Sequence, residues 1–381
     1  EAREKDKVKP ESIYSLHGIP VLLKDNINYD GLPTTAGSFA LNSNKTKNAF
    51  VVEKLLENGA LILGKTNLSE WAYYFCNNCP SGYSAMGGQT LNPYGRKKFD
   101  SGGSSSGSGV AISANFSSVS LGSETSGSIL SPSSANSIVG LKPTIGLVSR
   151  SGIVPISSTL DTSGPMTKNV IDNAIVLKAI SGFDQDDTFS VKKNNIDLES
   201  IINSSLKGKR FGVFNDFLDD SLYSNAIKKI EKLGGIIINF DPPQVDFSGF
   251  RKILDFDMKN DLPQYFKENN ISFNSVKDII EFNVKDSLKR APYGQGIFKS
   301  INIDSTQLDE ISIIKSRIKK EGKKYFNTAI KTHQLDAIIS INNYHAGYAA
   351  GAYYPCLTIP MGYNKDGKPF NLTFISRSFT E

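Results

Sequence analysis

The chain has 381 residues, 39% hydrophobic and 21% charged, which excludes a disordered chain and a small scaffold held by disulfides. Its net charge of +5 is too mild over this length to mark a nucleic-acid binder, and no run of about 18 apolar residues is present to form a membrane-spanning helix. The three cysteines, Cys76, Cys79 and Cys356, are too few and odd in number for a disulfide framework.

Charged residues 1–9 read as the tail of an amphipathic helix, and the chain is expected to be a processed or truncated piece. Residues 19–23 are a short apolar run, as in a buried strand. Residues 49–58 carry Val51, Val52, Leu55 and Leu56 at helical spacing, and Gly59 supplies the stop. Residues 60–64 read as the next strand. Residues 101–109 are glycine and serine only, and small apolar residues 110–114 follow. Strand-like pieces lie at 117–122 and 137–148, and a helix at 169–180. Composition shifts near Gly182, with a polar linker at 184–195. Strands are expected at 210–214 and 236–240, with a helix at 224–233 between them. The stretch 250–331 is Lys-rich and helical in pattern, above all at 308–329. Strand character returns at 337–340, 357–360 and 370–375. Alternating strands and helices predict an α/β chain with a mixed sheet.

Three features invite a chemical reading. The 101–109 stretch has the composition of a flexible linker, yet it runs straight into a buried segment. A Gly/Ser loop leading into a helix also suits an anion, although no Walker ending is present. Residues 122–128, Gly-Ser-Glu-Thr-Ser-Gly-Ser, are either a surface turn or a loop that aims several N–H groups at one point. Lys24 ends the first apolar strand. It is either solvated and paired, or buried and neutral, and only the neutral amine accepts a proton. His17, His333 and His345 read as structural, and no Gly-x-Ser-x-Gly elbow stands out in strand–turn–helix context. The Cys76-x-x-Cys79 spacing has no second pair to complete a zinc site, so these cysteines are expected to be incidental or structural.

Taken in order, several blocks resemble the amidase signature family of serine hydrolases. They are His17–Asn26, Gly64–Trp71, Gly102–Gly107, Gly122–Ser128, Gly140–Thr144 and Asp161–Met166. Similarity is dense over residues 15–180 and returns at 355–362. The segments around Glu124 and Gly146–Arg150 look most like bacterial peptide amidases, which hydrolyse C-terminal peptide amides.

The resemblance implies a mixed β-sheet core covered by helices on both faces. It divides the chain into a signature core at 1–181, a helical elaboration at 182–335 and a return to the sheet at 336–381. It implies a Ser–cis-Ser–Lys triad with Lys24 as base, Ser104 as bridge and Ser128 as nucleophile, joined in one hydrogen-bonded chain. Ser105 and Ser106 are the fallback serines. The oxyanion hole falls to the backbone N–H groups of Thr125, Ser126, Gly127 and Ser128. Ser126 departs from the usual glycine or aspartate. Leu130 stands where many members carry arginine, which predicts a neutral substrate site lined by Leu130.

The implied reaction is hydrolysis of a carboxamide to a carboxylate and ammonia, without metal or other cofactor. The implied partner is a small-molecule or peptide amide, with no nucleic acid and no membrane. Two alternatives stand beside it: the amidase subunit of a tRNA-dependent amidotransferase, and a catalytically silent binding protein of the same fold. Neither compartment nor oligomeric state is legible in these residues.

Overall fold

A computed structural model describes residues 1–10, 12–193 and 196–381. Twelve strands are found among them. They are β1 (Pro20–Lys24), β2 (Leu61–Thr66), β3 (Tyr83–Ser84), β4 (Gly88–Gln89), β5 (Val119–Glu124) and β6 (Val139–Lys142) in the first part of the chain. β7 (Thr162–Thr167), β8 (Arg210–Phe214), β9 (Ile236–Phe240), β10 (Ala337–Ile341), β11 (Cys356–Tyr363) and β12 (Pro369–Ile375) follow. β3 and β4 pair alone, and the rest form one sheet in the order β2-β1-β5-β7-β6-β11-β12-β10-β8-β9. Pairing is parallel from β2 to β5 and from β10 to β9, and antiparallel between.

Helices cover both faces because successive strand residues point to opposite sides. Val21 and Leu23 of β1 pack against Val51, Val52 and Leu55 of the Phe50–Glu57 helix and Val176, Leu177 and Ile180 of the Val170–Ile180 helix. In β10, Ile338 joins Phe326, Ala329 and Ala349 on one face, while Ile339 joins Tyr223 and Ile227 on the other. β8 and β9 come from the expected helical elaboration yet extend the same sheet. The rest of that segment supplies long helices at Phe250–Glu268 and Leu308–His333.

Three details differ from the sequence reading. The Gly/Ser stretch is not loop throughout, since a helix begins at Ser106 and runs to Ser113. Cys76 and Cys79 are joined as a disulfide, their Cα atoms 5.6 Å apart and within ordinary reach of such a bond. The helix at the start of the chain is only Ala2–Lys5. Part of the expected linker, residues 194 and 195, lies outside the described residues.

Candidate active site

The site is built where parallel strands end together. β1 and β5 are parallel neighbours, Leu23 pairing with Leu121, so their C-terminal ends lie side by side. In α/β sheets such ends are where sites form. Lys24 is the last residue of β1 and shares the face of Leu22, opposite the Val21/Leu23 core. The Ser106–Ser113 helix lies against β5 on hydroxyl contacts: Ser108 Oγ donates to Leu121 O at 3.1 Å and Ser120 Oγ to Ser108 O at 3.2 Å. Gly122 permits the close approach of the loop before that helix, because a Cβ there would stand 2.9 Å from Ser105 Oγ.

Lys24 is fully buried, and its Nζ faces three oxygens. Ser104 Oγ is 2.7 Å away, Ser123 Oγ 2.9 Å and Ser123 O 3.1 Å. Asn26 Nδ2 donates to the same Ser123 Oγ at 2.9 Å. Burial pushes the Lys24 amine down to about 7, against the opposing pull of Asp161 and Glu124. The surface reading of this lysine is therefore set aside.

Ser104 is also fully buried, and the Gly103–Ser104 peptide is cis. Its carbonyl accepts from Ser69 N–H at 3.0 Å. The fallback serines are occupied in holding backbone. Ser105 Oγ donates to Ser123 O at 3.1 Å and accepts from Ser123 N–H at 3.3 Å, and Ser106 Oγ donates to Gly102 O at 2.5 Å.

Ser128 follows β5 across the 125–128 loop. Ser105 N–H donates to Ser128 O at 3.1 Å, which ties the two serine loops together. Ser128 is half-buried, and its hydroxyl has no hydrogen-bond partner among the described residues. The expected link from Ser104 to Ser128 is thus not closed in this structure. The hydroxyl of Ser128 is therefore free to rotate. Among the described residues, the N–H groups of Thr125, Ser126, Gly127 and Ser128 also lack a protein partner. Four successive free donors in a loop of mostly buried residues suit a developing negative charge. Gly127 has φ +92°, which lets the chain turn there.

The loop is braced on both sides. Glu124 Oε2 accepts from Ile129 N–H at 2.6 Å and Leu130 N–H at 3.0 Å. Thr125 Oγ1 donates to Asp161 Oδ1 at 2.5 Å. A Cβ on Gly127 would meet Asn343 Nδ2 at 3.0 Å and Ala346 Cβ at 3.5 Å, so the start of the Ala346–Ala352 helix backs the loop.

Leu130 does not line this opening. It is 1% exposed and packs with Phe214, Phe240 and Cys356 in the core beneath the loop. Leu130→Arg is therefore expected to unfold rather than to retune. It would bury a guanidinium at a loss of about 3 kcal/mol or more, read as a lower Tm with no gain in hydrolysis of anionic amides. An unchanged Tm with a new preference for malonamate would put Leu130 at the substrate after all.

Among the described residues, none of the histidines hydrogen-bonds Ser104, Ser105, Ser106 or Ser128. His345 Nδ1 is 2.6 Å from Ser340 Oγ and its ring stacks on Phe214, while His17 Nε2 meets Lys5 O at 2.8 Å. Among the described residues, no group of three or more His, Cys, Asp or Glu side chains is placed to hold a metal ion.

The amidase family pattern matches residues 1–341, most of the chain. The chain belongs to the amidase family. A probable amidase of Arabidopsis thaliana is 38% identical, the match covering 100% of this chain and 77% of that protein. The amidase fold is equally plain in solved structures. An amidase family protein of Bacillus anthracis superposes with a TM-score of 0.94 at 35% identity, over 99% of this chain and 77% of the other. Native peptide amidase from Stenotrophomonas maltophilia superposes with a TM-score of 0.91 at 36% identity, over 99% and 82%. A glutamyl-tRNA(Gln) amidotransferase subunit of Thermoanaerobacter pseudethanolicus is 34% identical, covering 100% of this chain and 83% of that one.

Sequence reasoning passed over two residues that the structure places in this candidate site, Ser123 and Asp161. Ser123 was visible only as part of a small-residue cluster, and Asp161 only as the first residue of a family block. No local pattern marks either one, because their partners Lys24 and Thr125 lie 99 and 36 residues away along the chain.

Proposed function

We propose that this amidase hydrolyses a neutral, peptide-amide-like carboxamide to a carboxylic acid and ammonia, with Lys24 as base, Ser104 as relay and Ser128 as nucleophile. The observation that carries the reading is the buried amine of Lys24, 2.7 Å from Ser104 Oγ and lowered to about 7.

The acceptors around Lys24 give the relay its direction. A neutral amine has two N–H bonds and one lone pair. Ser123 O can only accept, so it takes one N–H. Asn26 Nδ2 donates to Ser123 Oγ, and this leaves the oxygen's second lone pair for the other N–H. The lone pair of Lys24 then faces the Ser104 hydroxyl. As Ser128 Oγ attacks the amide carbon, its proton passes to Ser104 and that of Ser104 to Lys24. The 125–128 N–H groups receive the oxyanion, and one such donor is worth about 3–4 kcal/mol in a measured hydrolase. Collapse of the tetrahedral adduct breaks the C–N bond, and the relayed proton returns to the departing ammonia. Water repeats the sequence on the acyl-enzyme, freeing the acid and Ser128.

The preference for a neutral acyl group now rests on what touches the loop. Asn343, Ala346 and Gly347 back residues 126 and 127, and Asp161 holds Thr125. None of them is a cation, and a substrate carboxylate left unpaired there is unfavourable. Ammonia release from N-acylated peptide amides is expected to exceed that from glutamine or malonamate by about tenfold or more in kcat/KM. A tenfold preference for glutamine or malonamate would overturn the assignment of substrate.

The relatives named as amidotransferase subunits favour a second reading, in which ammonia is passed to another protein of a complex. Glutamine-dependent ammonia release that rises on adding a co-purifying protein would support it over the first.

A further inference from the structure

A path of one ion pair and successive hydrogen bonds runs from the surface of the Leu308–His333 helix to the loop before Ser128. Lys315 is 28% exposed at its side chain and sets Nζ 2.6 Å from Asp257 Oδ1. Asp257, on the Phe250–Glu268 helix, is buried, and its Oδ2 accepts from Ser157 Oγ at 2.5 Å. Ser157 N–H and Ile156 N–H donate to Asp161 Oδ2 at 2.9 and 2.8 Å. Asp161 Oδ1 then accepts from Thr125 Oγ1 at 2.5 Å. A side branch adds Asp261, whose Oδ2 accepts from Ser158 N–H at 2.6 Å.

Gathering carboxylates in this way is unfavourable in itself. Asp261 is pushed up to about 6 by burial, with Asp257 and Asp161 adding to the rise. A fold that keeps such a cluster must satisfy it fully, and a satisfied network specifies one geometry. Thr125 is where this geometry reaches the loop.

We propose that Asp161 and Asp257 are positioning residues for the reaction, which lock Thr125 and through it the aim of the 125–128 N–H groups, so that the helical segment forms part of the active site. The inference rests on reading that loop as the oxyanion hole. Stabilisation there depends on donors held within about 0.5 Å of their productive place. A Thr125 released from Asp161 turns the first donor loose. Asp161 has a second effect through space. The charged groups that act on it or on Lys24 are Glu124, Arg150 and Asp261, and Asp161 itself favours the ammonium of Lys24.

The test is steady-state kinetics of the full chain on a neutral peptide amide, with Tm measured beside it. Thr125→Val is expected to lower kcat about tenfold with KM within about twofold, and Thr125→Ser to restore it. Asp257→Asn lowers kcat in the same way, and the double variant Thr125→Val/Asp257→Asn is no worse than Thr125→Val, because both break one path. Asp161→Asn lowers the plateau and also moves the acidic limb of kcat/KM to lower pH, a shift absent in Thr125→Val. Lys315→Met, at the outer end of the path, lowers kcat about two- to fivefold and decides the matter if Asp161→Asn does not fold. Wild-type kcat in Asp257→Asn and Lys315→Met, with only Tm reduced, would overturn the proposal. So would strict additivity in the double variant. Ser128→Ala separates the two levels. Turnover retained there defeats the proposed function on which the inference rests, whereas a dead Ser128→Ala beside wild-type path variants defeats this inference alone.

Discussion

Ser128→Ala is expected to lower kcat by about four orders of magnitude or more, as removal of a nucleophile does in other serine hydrolases. Tm should hardly move, because the Ser128 hydroxyl makes no hydrogen bond among the described residues. Labelling by a fluorophosphonate probe should vanish with it. Ser105→Ala should behave in the opposite way. It loses two contacts to buried Ser123, although Ser123 O keeps the Lys24 amine, so stability falls while labelling persists. Labelling that survives in Ser128→Ala and disappears in Ser105→Ala would show that the wrong serine had been chosen.

Lys24→Ala or Lys24→Met is expected to cost a comparable factor in kcat, since no other group on the relay accepts the Ser104 proton. In the wild type, kcat/KM should rise with pH through about 7 and fall about tenfold per unit below it, as the amine of the free enzyme gains its proton. Stability should follow the same group with a definite sign. The folded value, about 7, lies below the ordinary 10.5. Between the two, the unfolded chain binds a proton that the folded chain lacks, so stability rises with pH across that window and is least below it. Lys24→Met removes the group and should flatten this rise. It should also raise Tm near neutral pH, because a buried amine gives way to an apolar chain. A wild-type pH profile with near-normal kcat in Lys24→Met would remove Lys24 from the mechanism.

The outer frame was legible because its signals are local. The Val51–Leu56 spacing with Gly59 marked a helix that runs Phe50–Glu57, and the apolar runs marked β1 and β2. β7 was hidden. Thr162-Ser-Gly-Pro-Met-Thr has no alternation, yet it is buried throughout between β5 and β6. Gly164 explains why the pattern is missing, since a Cβ there would fall 2.0 Å from Leu141 O. Close backbone packing, not side-chain periodicity, chose those residues. The short Leu130–Ala135 helix was hidden too, and with it the burial of Leu130, because a single turn has too few residues to show a period.

The candidate site divides in the same way. Lys24, Ser104 and Ser128 stood out only through family blocks, and their lone chemistry did not single them out. The acceptor pattern that turns Lys24 toward Ser104 comes from Ser123 and Asn26, and the brace on Thr125 from Asp161. These depend on which strand ends the sheet order brings together, and no local stretch of sequence records that.

Passage of an acyl group through Ser128 is the step on which the whole mechanism turns. Rapid quenching in acid during turnover of a neutral peptide amide, followed by mass spectrometry of the digested protein, tests it most directly. The expected result is an acyl mass on the peptide that carries Ser128, absent from Ser128→Ala and strongly reduced in Lys24→Ala. An acyl mass on Ser104 or Ser105, or steady ammonia release with no acyl mass on any serine, would contradict it.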